Sequence, residues 1–133
     1  MTIAASPLAS LKGRRILVVD DEFFQAKDLA RALSEAGARL VGPVPSFGDA
    51  VKALDGDTGI DAAVLDINLR GRMVYEVADL LAGRGIPFVF ATGYDPELVP
   101  AAYQGHQIYE KPFRMESLLA GLASLCPQPA AKA

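Results

Sequence analysis

Three short runs in this sequence, Ile16-Leu17-Val18-Val19, Ala62-Ala63-Val64-Leu65 and Phe88-Val89-Phe90-Ala91, are apolar at every position. A strand with one face in water alternates apolar and polar residues, whereas a strand that does not alternate is buried on both faces. Such strands belong inside a sheet covered from both sides. Two further segments, Arg39 to Pro43 and Gln107-Ile108-Tyr109, read as strands that bring the number to five.

Between the strands lie segments with helical spacing. Phe24, Ala26, Leu29, Ala30, Leu33 and Ala36 recur every three or four residues and stop at Gly37. Ser46 is placed to cap a short helix through Leu54. Met73, Val74, Val77, Ala78, Leu80 and Leu81 predict a helix ending near Gly83, and Met115, Leu118, Leu119, Leu122 and Leu125 predict the last one. The segment from Pro96 to Tyr103 contains Pro100 and predicts only a weak, irregular helix. Alternating strands and helices of this length predict an α/β fold, a doubly wound five-stranded parallel sheet with helices on both faces. The expected organisation is a leader over residues 1–13, one domain over 14–126 and a Pro/Ala tail over 127–133.

Charge and composition narrow the function. A net charge of −3 and the absence of any basic cluster beyond Arg14-Arg15 argue against a nucleic-acid grip. No apolar stretch approaches the ~20 residues of a membrane span, and the N-terminus lacks the pattern of a secretory signal. A cytoplasmic protein without membrane contact is expected. The lone cysteine, Cys126, rules out an internal disulfide and reads as a buried, inert thiol.

In doubly wound folds ligands sit beyond the carboxyl ends of the strands. The residues that follow the strands are Asp20-Asp21-Glu22, Asp66 with Asn68, Thr92-Gly93 and Glu110-Lys111-Pro112. If the strands are parallel, all of these meet on one rim. Two carboxylates ~4 Å apart repel by roughly 4 kcal/mol at an effective dielectric of 20, so a shared cation is required. An all-oxygen set suits Mg²⁺, which retains waters and accepts phosphate oxygens. Lys111 adds a positive charge and Thr92 a hydroxyl donor, which makes a carboxylate among them a sensible phosphoryl acceptor.

Each residue alone has an ordinary explanation. An acid at a helix start complements its positive end, Asp66 suits an Asx-turn, and proline after a lysine stops a strand. Polar residues at the same end of four strands are not accounted for in that way. His106, the only histidine, reads as structural, and Phe23, Phe24 and the other phenylalanines as core.

Over residues 14–125 the sequence resembles the receiver domains of two-component response regulators. The likeness rests on Asp20-Asp21, on Asp66 within Leu65-Asp66-Ile67-Asn68-Leu69, on Thr92, and on Lys111-Pro112-Phe113. The resemblance implies the strand order 2-1-3-4-5. It implies Asp66 as the phosphorylation site and Asp21 and Asp66 as direct Mg²⁺ ligands, with Asp20 assisting, the Asn68 main-chain carbonyl completing the set, and Thr92 and Lys111 holding the phosphoryl group. Asp21 is expected to matter more to the metal than Glu22. The run Pro87-Phe88-Val89-Phe90-Ala91-Thr92-Gly93-Tyr94 is similar to the single-domain receivers nicknamed FAT GUY, which are found in alphaproteobacteria and paired with histidine kinases of the HWE or related type.

By that resemblance the chain is a phosphoacceptor that phosphorylates and dephosphorylates itself rather than a separate enzyme. It would be a monomer or weak dimer that signals to a downstream protein by contact. Tyr94, two residues after Thr92, is expected to lie over the site. Two departures stand out: Ile108 occupies the place of a common aromatic switch residue, and Arg70 that of a common proline. The competing readings are an aspartate-nucleophile phosphatase, which usually needs a second acid where Asn68 stands, and a receiver excised from a hybrid kinase.

Overall fold

The computed structural model describes residues 9–56, 59–93 and 95–126. Strands β1 (Arg15–Val19), β2 (Arg39–Val44), β3 (Ala62–Leu65), β6 (Phe88–Thr92) and β7 (Ile108–Glu110) form one sheet, ordered β2-β1-β3-β6-β7 and parallel throughout. Counting only these five, the order is 2-1-3-4-5. Helices α1 (Phe23–Glu35), α2 (Phe47–Gly56), α3 (Tyr75–Gly83) and α4 (Met115–Leu125) cover it.

The apolar runs divide between two cores because successive side chains point to opposite faces. Leu17, Val19, Ala63, Leu65, Phe88 and Phe90 pack against Ala50 and Leu54 of α2 and Val77 and Leu81 of α3. Ile16, Val18, Ala62, Val64, Val89 and Ala91 pack against Leu29 and Leu33 of α1 and Leu118 and Leu122 of α4. Ser46 caps α2 as its position predicts, its Oγ accepting from the Asp49 amide at 3.1 Å.

Several expectations are corrected. Phe23 and Phe24 are not core: they are 68% and 79% exposed on the first turn of α1, ring against ring. The buried stripe of α1 begins only at Ala26. Leu80 is likewise on the exposed side of α3. That helix starts at Tyr75 rather than Met73, because Arg72 and Met73 form a strand, β5, paired antiparallel with β4 (Asn68–Leu69). Part of the expected leader is ordered. Ala9–Leu11 form a 3-10 turn against α4, with Leu11 fully buried and Ser10 Oγ donating to the Ala123 carbonyl at 2.8 Å. Residues 127–133 lie outside the described part.

In place of the weak fourth helix there are two 3-10 turns, Pro96–Leu98 and Ala101–Tyr103. The Gln104 amide donates to the carbonyls of Pro96 and Val99 at 2.9 and 2.7 Å, and the Tyr103 ring stacks on Tyr75. His106 stacks on Phe88 at 4.3 Å between ring centres, and Cys126 is buried.

Gly121 of α4 lies close against the side chains of the last strand. A β-carbon there would collide with the Tyr109 hydroxyl and the Gln107 side-chain oxygen, which are hydrogen-bonded to each other. Gly121→Ala is expected to destabilise the domain by about 1–3 kcal/mol through overpacking, despite alanine's better helix propensity. Tyr109→Phe, which removes the nearest atom, is expected to recover part of the loss. Denaturant unfolding of the two single variants and the double variant checks this, and an additive result would refute it.

Candidate functional site

The sheet ends carry the acids to one place through ordinary backbone pairing. The amides of Asp20, Asp66 and Lys111 donate to the carbonyls of Val44, Val19 and Thr92 at 3.0, 2.8 and 2.7 Å. Each of these residues therefore continues the ladder one step past its strand. Their side chains meet on the rim at the point where the strand order reverses.

Asp20, Asp66 and Thr92 are buried and Asp21 partly so. Asp20, Asp21 and Asp66 each present a carboxylate oxygen, and the three atoms lie within 4.8 Å of one another. Oxygens on opposite sides of a Mg²⁺ ion stand about 4.2 Å apart, twice the ~2.1 Å bond length, so this donor set fits such an ion with small adjustment. Beside it opens a cleft of about 410 Å³ lined by Asp21, Glu22, Asp66, Asn68, Arg70, Gly71, Thr92 and Gly93.

Lys111 is nearly buried. Its ammonium donates to Asp20 Oδ2 at 3.0 Å, Glu22 Oε1 at 2.8 Å and Asp66 Oδ2 at 3.3 Å. Burial lowers its proton affinity, but the Glu22 hydrogen bond and the charges of Asp66 and Asp20 outweigh that and hold it above the usual lysine value. Asp66 is shifted the other way from most ion-paired acids. Burial pushes its carboxyl from 3.8 up to about 6, Lys111 pulls it down, and the Asp20 charge raises it. It remains mostly ionised at neutral pH and is more basic than an exposed aspartate, which favours nucleophilic use.

The structure thus brings together Asp20, Asp21, Asp66, Asn68, Thr92 and Lys111. Asp20 also serves the ordinary role considered for it, since its Oδ1 accepts from the Glu22 amide at the start of α1 at 2.8 Å. Glu22 itself leans over Lys111 and stands outside the acidic triad. Tyr94 lies outside the described residues.

Two features were not found by reading the sequence: the bridge from Glu22 to Lys111, and the pairing of Arg70 with Asp21. The turn between β4 and β5 consists of Arg70 (φ 54°) and Gly71 (φ 89°), closed by Asn68 Oδ1 accepting from the Gly71 amide at 2.7 Å. Glycine adopts this backbone freely, whereas for arginine the left-handed region costs about 1–2 kcal/mol. Arg70 Nε lies 3.8 Å from Asp21 Oδ2. An X-Gly step between two short strands is the available hairpin signal.

No protein-family model matches the chain. SdrG of Sphingomonas melonis Fr1 is 38% identical, over 85% of this chain and 96% of that one, with a TM-score of 0.75; the BeF3-activated conformation of SdrG gives 0.71. A response regulator receiver protein of Sinorhizobium medicae is 27% identical, over 87% of this chain and 96% of that one, with a TM-score of 0.73. Among curated proteins, the transcriptional regulatory protein TcrA of Mycobacterium tuberculosis is 37% identical over 120 residues, 86% of this chain. The chain spans about half, 47%, of TcrA.

The fold and the acid rim define an α/β signalling module rather than a classical enzyme. The chain belongs to the receiver domains of two-component response regulators. Among the described residues no helix is long and apolar enough to cross a membrane.

Proposed function

We propose that the domain accepts a phosphoryl group on Asp66 from a histidine kinase and transmits the signal by protein–protein contact. The observation that carries this reading is the meeting of Asp66 with Asp20, Asp21 and Lys111 at the strand ends. Asp21 and Asp66 would hold Mg²⁺ directly, Asp20 would assist, and the Asn68 carbonyl would complete the protein's share. Bound there, the ion would neutralise charge on the transferring group.

An Asp66 carboxylate oxygen attacks the donor phosphorus. The bond from phosphorus to the donor's imidazole nitrogen breaks, its electron pair leaves with that nitrogen, and an acyl phosphate forms. Lys111 and Thr92 receive the phosphoryl oxygens. Hydrolysis by water at phosphorus returns Asp66 and inorganic phosphate, so the domain also resets itself.

A protein donor suits the surroundings. Phe23 borders an apolar cleft of about 530 Å³ with Ala26, Ala30, Pro43 and Pro45, and that cleft reaches Asp20 and Asp21. The likeness to the FAT GUY receivers supports a kinase of the HWE or related type, a cytoplasmic setting and a monomer or weak dimer. The downstream partner is a further protein, reached without nucleic-acid or membrane contact.

Incubation with phosphoramidate and Mg²⁺ is expected to add one phosphoryl group, seen by intact-protein mass. Asp66→Asn is expected to remain unlabelled. Labelling of that variant to the wild-type extent would overturn the assignment.

A further inference from the structure

Arg70 is the one residue other than glycine with a positive φ among the described residues. The two-residue hairpin turn demands this backbone, and residues held in such sparsely populated regions cluster at functional sites, which raises the question of what purpose an arginine serves here. The turn aims its guanidinium at Asp21, and the side chain borders both the acid cleft and the apolar cleft beside it.

The distribution of charge says what that purpose is. Lys111 has three N–H donors and directs them to Asp20, Glu22 and Asp66, so none is left for Asp21. Among the described residues, the cation paired with Asp21 is Arg70. With Arg70 in place, four carboxylates face two cations; once it moves away, three negative charges are left over beyond Lys111, enough to hold a divalent ion there.

We propose that Arg70 is a tethered counter-cation that sits against Asp21 while the site lacks a divalent ion and yields that carboxylate when one binds. This rests on the reading of Asp20, Asp21 and Asp66 as a divalent-cation site. Arg70 then sets the affinity and the salt dependence of metal binding. It is a positioning residue that acts through Asp21. Its arginine stem is long enough to swing clear into solvent, and the side chain is already 75% exposed.

The test uses Mg²⁺ alone, titrated into the domain while the backbone amide resonances of Asp66 and Thr92 are followed. Arg70→Gly keeps the turn, because glycine is at ease at this φ. It is expected to tighten Mg²⁺ binding by about 1.5-fold to fivefold at low ionic strength, the range an exposed ion pair supports. The gain is expected to vanish near 1 M salt, where the screening length falls to about 3 Å. Arg70→Lys is expected to stay closer to the wild type. In an Asp21→Asn background, Arg70→Gly is expected to leave the affinity unchanged.

Unchanged or weaker binding by Arg70→Gly, in a protein whose wild type binds Mg²⁺, overturns the role of Arg70 alone. An equal gain in the Asp21→Asn background does the same, since it would show a diffuse field rather than a partner. A wild type that binds no Mg²⁺ overturns the metal site itself and this inference with it.

Discussion

Replacing Lys111 with methionine is expected to destabilise the metal-free domain by about 3–5 kcal/mol at pH 7, the range found when one partner of a buried ion pair is removed. The methionine keeps most of the apolar stem and leaves no large cavity, so the loss reports on charge. Asp20 and Asp66 side chains are each 7% exposed and cannot turn into water, whereas Glu22, at 56%, can. The penalty therefore falls on the two buried aspartates. Lowering the pH toward 5 is expected to recover part of it by protonating Asp66, whose proton affinity rises further once the ammonium is gone. Mg²⁺ is expected to recover more, by replacing the missing positive charge. Urea unfolding with and without Mg²⁺ measures all three effects. A loss under about 1 kcal/mol would mean that water already screens these carboxylates.

The strand ends explain why so much of this site was legible from residue order alone. A strand buried on both faces has to be apolar throughout, so its boundaries are sharp, and the first polar residue after it lies on the rim. Asp20, Asp66 and Thr92 could each be placed by that rule, because parallel strands bring the same end of every run together; Lys111 follows Glu110 at the end of a half-buried strand and had to be read from Lys111-Pro112-Phe113. The resemblance to receivers then supplied the strand order, which apolar patterning does not contain.

What escaped the sequence depended on side-chain direction or on turn geometry. Phe24 lies on the opposite side of the helix from the buried stripe. Phe23 falls in step with Ala26, Ala30 and Leu33 by spacing, yet the helix only begins there. No neighbour is there to cover the ring, and an apolar residue at the right period is left exposed. Met73 fits the stripe of α3 equally well, but two residues of hairpin take it first. Spacing cannot see that competition, because Arg70-Gly71 is a weak turn signal beside Asn-Gly. The bridge from Glu22 to Lys111 spans 89 residues of sequence, and no local pattern encodes it. Leu11 lies in the Ala/Ser-rich leader and is buried because α1 and α4, distant in sequence, close over it.

Asp66→Asn is expected to make the metal-free domain more stable at pH 7, by about 1–3 kcal/mol. The sign follows from the raised carboxyl. The folded chain holds this proton with a value of about 6, against 3.8 ordinarily, so protonation favours the folded state. That contribution is present in full below about pH 3.8 and is lost as the pH rises through about 6. A gap of roughly two pH units, at 1.36 kcal/mol each, sets an upper bound near 3 kcal/mol. Asparagine carries no charge to desolvate and does not repel Asp20, but it also weakens the bond to Lys111, which lowers the net gain. In EDTA the wild type is therefore expected to lose stability relative to Asp66→Asn between pH 4 and 7, with the two converging below pH 4. Mg²⁺ is expected to close the gap at pH 7 from the wild-type side, because the variant has given up one of the three carboxylates. Thermal unfolding across this pH range, with EDTA or Mg²⁺, supplies the comparison. Parallel curves for the two proteins in EDTA would show that Asp66 carries no burden of buried charge, and the assignment of its raised proton affinity to burial would fall.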